Sequence, residues 1–113
     1  YSVIGNDEGA DLAEKLLRDA GAECTALIRH KERITTKKSR VIASNQQIIR
    51  FDDENREDIS LQSQYELLTT LSQNIFSYDA ILLSDYGKGV LTTTLTKDII
   101  SLAFAHNKPV LVD

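Results

Sequence analysis

The sequence predicts an α/β fold: a three-layer arrangement in which a parallel sheet carries helices on both faces and an antiparallel hairpin is inserted. Three observations predict it. Apolar residues recur at three- and four-residue steps in three separate stretches, short Val/Ile/Leu runs lie between those stretches, and one Thr-, Val- and Ile-rich stretch follows the two-residue period of strands. Strand and helix in alternation, with a loop between, make the parallel crossover unit.

The elements follow in chain order. Tyr1 to Gly5 reads as a strand. From Asp7 to Ala20, Leu12, Ala13, Leu16, Leu17 and Ala20 fall on one helical face, and Gly21 stops the helix. Cys24 to Ile28 is a short strand candidate, and His30 to Arg33 a charged loop. Ile34 to Phe51, broken near Ser44-Asn45, predicts the hairpin, whose turn can be two or three residues long. The acidic stretch Asp52 to Asp58 reads as a solvated connector. Leu61, Tyr65, Leu68, Leu71 and Ile75 mark a second amphipathic helix, with Ser63 and Glu66 as a capping box. Ala80 to Leu83 is a continuous apolar run of the kind buried on both faces of a parallel sheet. Leu95, Ile99, Leu102 and Ala103 mark a third helix, capped by Thr92 or Thr93, before Pro109 opens a last strand.

Composition narrows the function. The 113 residues include 42% apolar and 27% charged side chains and carry a net charge of −4, a globular mixture rather than a disordered one. The basic residues form no long run, which argues against nucleic acid as the main partner but leaves room for a small anion. No apolar run reaches the ~18 residues that span a bilayer, and no signal peptide opens the chain, so a cytoplasmic protein without a membrane partner is expected. Cys24 stands alone, with no second cysteine to bridge and no zinc-ligand spacing; it reads as a buried thiol. Met is absent and the first residues read as a strand already in progress, so residues 1–113 are expected to be an internal piece of one larger domain, with residues 34–52 as its inserted lid.

The most informative segment is Ser84-Asp85-Tyr86-Gly87-Lys88-Gly89, which follows a strand. Ligands of parallel α/β sheets bind at the carboxyl ends of strands, where Asp85 can accept from sugar hydroxyls and Lys88 can meet a phosphate. The alternative is a turn shaped by two glycines and capped by Asp85. The spacing around Lys88 is not that of a phosphate-cradling P-loop, and Gly5-Asn6-Asp7-Glu8-Gly9 lacks the third glycine of a dinucleotide fingerprint. In the hairpin, Asn45, Gln46 and Gln47 offer paired donors and acceptors suited to polyols, and Lys37, Lys38, Arg40 and Arg50 offer cations; alternation lets only some of them face one ligand. His30 and His106 are isolated, and no nucleophile elbow surrounds Ser84.

Taken together, Gly5-Asn6-Asp7-Glu8-Gly9, the hairpin from Thr35-Thr36-Lys37-Lys38-Ser39-Arg40 to Asn45-Gln46-Gln47, and Leu83 to Leu91 resemble the ribokinase-like (PfkB-type) carbohydrate kinases, and more narrowly the bacterial heptose 7-phosphate kinase domain. The resemblance runs over nearly the whole chain. It implies a partial ribokinase-like sheet and transfer of the ATP γ-phosphoryl group to the anomeric hydroxyl of a heptose 7-phosphate, toward the lipopolysaccharide core. Its cofactors would be ATP and Mg²⁺, and its substrates a sugar phosphate and ATP. Such kinases are often fused to an adenylyltransferase. The family's first acidic sugar loop would precede Tyr1; its Asn-x-x-Glu and Gly-Ala-Gly-Asp motifs, the latter with the catalytic base and anion hole, would follow Asp113. No residue of this chain is therefore expected to be catalytic or to bind metal, and the chain alone is expected to be inactive. Asn45, Gln47, Asp85 and Lys88 are the expected substrate contacts. Lid hairpins of this family also pair two subunits, so a homodimer through residues 34–52 is expected. Two other readings are another sugar or nucleoside kinase of the same fold, and a phosphoacceptor receiver module with Asp85 as acceptor and Lys108-Pro109 as switch pair; the short separation of those groups and the basic hairpin disfavour the second.

Overall fold

A computed structural model describes residues 1–113. The first strand, β1 (Ser2–Ile4), leads into α1 (Glu8–Asp19), where Asp7 Oδ1 accepts from the Ala10 backbone N–H at 2.8 Å and closes the first turn. The helix ends at Ala20, and Gly21 follows at φ 80°, a left-handed stop that glycine takes without a Cβ penalty. β2 (Leu27–Arg29) returns beside β1 in parallel, with Val3 opposite Ile28.

The hairpin comes next, as β3 (Lys37–Ala43) and β4 (Gln46–Asp53). Its turn is two residues long. Ser44 and Asn45 both take positive φ, 49° and 60°, the backbone that matches the right-handed twist of the flanking strands. The register runs from Lys37 opposite Asp53 to Val41 opposite Ile49, then shifts so that Ile42 faces Gln47 and Ile48 is left as the extra residue of a bulge.

Helix α2 (Leu61–Asn74) runs into a single 3₁₀ turn, Ile75–Ser77, before β5 (Ile81–Leu83), α3 (Thr93–Ala105) and β6 (Val110–Val112). Ser60, not Ser63, caps α2: its Oγ accepts from Ser63 N at 3.1 Å, and Ser63 is itself buried in the first turn. Thr92 caps α3 through Leu95 N at 3.1 Å. β5 and β6 pair in parallel, with Leu82 opposite Leu111.

One core joins the two parallel ladders to α2 and α3, without a residue of α1 or of the hairpin. Leu67 and Leu71 from α2 and Ile75 from the 3₁₀ turn meet Leu95, Ile99 and Ala103 from α3, and Val3, Ile81 and Leu83 from the strands close the cluster. Cys24 is buried as expected, its Sγ donating to Ala22 O at 3.5 Å. The α/β class and all the expected elements are present, while burial departs from expectation in two places. Leu82 is 65% exposed, so the β5 run is covered on one face only. Leu12, Leu16 and Leu17 of α1 and Leu61 and Tyr65 of α2 share the helical spacing but lie exposed, because nothing in this chain packs over them.

The strands form three separate two-stranded ladders, β1–β2, β3–β4 and β5–β6, rather than one continuous sheet. β1 and β5 each keep an unpaired edge, and both line a cavity of about 800 Å³ that is mostly apolar. No helix is long and apolar enough to cross a membrane.

Candidate functional site

Besides Tyr1, Ser2 and Tyr78, the cavity takes its polar groups from two segments. One is the loop after β5, which supplies Ser84, Asp85, Tyr86 and Lys88; the other is the segment that opens the hairpin, which supplies Arg33, Thr35, Thr36 and Lys38. The loop is built by the backbone. Gly87 and Gly89 take φ 64° and 71°, and the Gly87 N–H donates to Asp85 Oδ1 at 2.8 Å. One carboxylate oxygen of Asp85 therefore shapes the turn while the side chain remains exposed to the cavity.

Lys88 is held from two sides. Its ammonium group donates to Glu54, which also pairs with Arg56 at 2.5 Å, and its carbonyl accepts from the Arg33 guanidinium. The Lys88 ammonium first, and Arg56 second, hold the Glu54 carboxyl below the usual carboxylate range. This corrects the reading of Asp52 to Asp58 as a solvated connector. Asp52 and Asp53 belong to β4, and the Glu54 side chain is only 11% exposed. Asp52 also carries the one buried side-chain oxygen without a partner, Oδ1, beside an Arg50 contact to Oδ2 at 3.2 Å.

The register sorts the hairpin's side chains. Opposed residues share a face and neighbours alternate, so Val41, Ile49 and Phe51 lie on one face with Ser39, while Lys38, Arg40, Arg50, Asp52 and Gln47 lie on the other with Ile42. Arg40 stands directly opposite Arg50, a like-charge pairing that disfavours the ladder unless an anion lies near. Lys38, on the charged face, lines the cavity. Lys37 lies on the apolar residues' face and pairs with Asp53 at 3.5 Å.

The four residues singled out in the sequence thus divide. Asp85 and Lys88 share the cavity. Asn45 sits at the hairpin turn and Gln47 beside the bulge, both exposed and outside the cavity lining. Arg33 and Glu54, which fix Lys88, escaped sequence reading because each sits in a charged stretch and meets Lys88 only across 55 and 34 residues of chain.

The opening of the hairpin is anchored to the first strand-to-helix turn. Thr35 N donates to Asp7 Oδ2 at 2.8 Å, and Gly5 N donates to Thr35 Oγ1 at 3.0 Å. A Cβ on Gly5 would lie 2.6 Å from Arg33 O and 2.7 Å from Thr35 N, so the approach requires glycine. Hydrogen bonds from Thr35, then from the Ala10 N–H, hold the Asp7 carboxyl below its ordinary value. A carboxyl whose folded pKa lies below its unfolded value of about 3.9 stabilises above that value and loses the contribution as pH falls through the folded one. Asp7→Asn keeps a capping oxygen but removes the titration. Urea midpoints measured from about pH 7 to pH 3 should therefore fall less steeply in Asp7→Asn than in the wild type. Superimposable acid limbs would count against the anchor.

Comparison with known proteins decides the lineage. The chain is 47% identical over 112 residues to the bifunctional protein HldE of Aliarcobacter butzleri, covering 99% of this chain and 24% of that protein. This chain is an HldE homologue. It is 46% identical over 111 residues to HldE of Sulfurimonas denitrificans and 43% over 112 residues to that of Trichlorobacter lovleyi. The match bears out the family expected from the motifs. The chain spans about a quarter of the length of these HldE relatives. No family model matches it.

Proposed function

We propose that this chain forms the acceptor side of a heptose 7-phosphate kinase within a bifunctional, heptose-processing enzyme. In that reaction the γ-phosphoryl group of ATP passes to the anomeric hydroxyl of the sugar. The observation that carries the reading is the convergence of Asp85 and Lys88, at the carboxyl end of a parallel strand, with Lys38 from the hairpin's charged face, in a chain homologous to HldE over nearly its whole length. The ladders β1–β2 and β5–β6 are, in this reading, parts of one ribokinase-like sheet with the hairpin as its lid.

The roles follow from the chemistry. Asp85 has a second carboxylate oxygen free to accept from sugar hydroxyls. Lys88 leaves Glu54 for the sugar's phosphate, whose charge outweighs that of one carboxylate. Asn45 and Gln47 reach the polyol when the hairpin closes. ATP and Mg²⁺ are the cofactors this reading implies. The enzyme would work in the cytoplasm, without nucleic acid or membrane. The test is an assay of ADP release by the full-length protein over a panel of sugar phosphates. Heptose 7-phosphate should be preferred, and absence of turnover with every sugar phosphate would overturn the proposal.

The exposed Val41, Ile49 and Phe51 give the hairpin an apolar face opposite its charged one, and a two-stranded ribbon with such a face needs cover. The occupant we propose is the same face of a second subunit, in an isologous homodimer. Light scattering at micromolar concentration should show a dimer that Val41→Asp with Ile49→Asp converts to a monomer. A monomeric wild type, or a dimer indifferent to both changes, argues against this arrangement.

A further inference from the structure

Arg33 belongs to no motif, yet three chain segments meet on it. Its Nη1 donates to Glu57 O at 3.2 Å, and its Nη2 donates to Asn55 O at 3.2 Å and to Lys88 O. Two of these carbonyls lie on the stretch after β4 and the third on the glycine-rich loop. The same stretch and loop are pressed together nearby: Ile59 N donates to Gly89 O at 2.9 Å, and a Cβ on Gly89 would fall 2.5 Å from the Glu57 carbonyl carbon. Glu54, on that stretch, holds the Lys88 ammonium group. On its own side, Arg33 is fixed two residues before Thr35, whose amide is tied to Asp7. A planar guanidinium with several fixed donors can span carbonyls from separate segments, whereas an ammonium group on a flexible stem cannot hold the same geometry.

From this geometry we infer that Arg33 is a positioning residue that sets where Lys88 presents its ammonium group, by clamping the glycine-rich loop and the post-hairpin stretch to the hairpin's base. Arg33 need not touch the substrate, because its donors are directed at protein carbonyls. The consequence for the sugar phosphate rests on the kinase reading above; the clamp itself does not.

Two measurements on the full-length protein separate these levels. The first is the acetylation rate of Lys88 relative to Lys97, read by mass spectrometry, which needs no enzymatic activity. Arg33→Ala should raise that ratio about fivefold and Arg33→Lys by less; an unchanged ratio in both variants overturns the inference. The second is steady-state kinetics. Arg33→Lys should raise KM for the sugar phosphate about tenfold with KM for ATP unchanged, and Arg33→Lys combined with Lys88→Ala should match Lys88→Ala alone rather than multiply with it. Parallel rises in both KM values, or multiplicative effects in the double variant, assign Arg33 to general folding and overturn the inference. A wild type inactive on every sugar phosphate overturns the kinase reading instead, and the acetylation ratio then decides Arg33 by itself.

Discussion

Gly89→Ala is expected to destabilise the protein by at least ~3 kcal/mol, the largest effect of any single methyl group added to this chain. Two costs combine. At φ 71° an alanine enters the left-handed region, which alone costs roughly 1–2 kcal/mol. The added Cβ would also lie 2.5 Å from the Glu57 carbonyl carbon and 2.9 Å from Asp58 N, and backbone on both sides cannot give way without breaking the Ile59-to-Gly89 hydrogen bond. Gly87 and Gly21 supply the controls. They have φ values of 64° and 80°, but a Cβ at either meets nothing within 4 Å, so alanine there should cost only the conformational part. Urea unfolding of the three variants separates the terms, and equal midpoints for Gly89→Ala and Gly87→Ala would show that the loop does not press on residues 57 and 58.

The second large effect is kinetic. Lys88→Met keeps the apolar stem and removes the ammonium group, and Asp85→Asn keeps an oxygen for the Gly87 N–H while removing the charge. Asp85→Asn should therefore leave the loop in place, and Lys88→Met should leave it tied by the Arg33 bond to the Lys88 carbonyl while Glu54 keeps only Arg56. A charge-assisted hydrogen bond contributes about 1.5–3 kcal/mol, so each change should lower kcat/KM for the sugar phosphate by roughly 10- to 150-fold. KM for ATP should stay within about twofold, since both side chains are assigned to the acceptor. Sugar-phosphate kinetics unchanged in both variants would return the segment to a turn shaped by its glycines.

Much of this architecture was legible because its causes are local. Helical spacing located α1, α2 and α3, Gly21 marked the end of the first, and the tolerance of Asn45 for positive φ fits the hairpin's turn. The cap of α2 was misplaced because Ser60 and Ser63 are equally good oxygens, and only the position of Ile59 in the core decides where the helix starts. Burial was less legible than periodicity. The apolar stripe of Leu12, Leu16 and Leu17 says that a face is to be covered, but not by what. In the site, Asp85 and Lys88 stood out through their place after a strand, whereas Arg33 and Glu54 are two charges among many until the fold brings them to Lys88.

The open edges of β1 and β5 also bear on solubility. Each presents a row of backbone N–H and C=O groups that no other strand of the chain takes up, beside a mostly apolar cavity. Such a row recruits any extended peptide, whatever its side chains, because main-chain groups are the same in all. Expressed by itself, this segment should therefore add strands from its own copies and precipitate as concentration rises, with a faster onset at higher salt as its net charge of −4 is screened. Short peptides of alternating N-methylated residues, which can pair along one edge only, would cap those rows and keep the segment in solution.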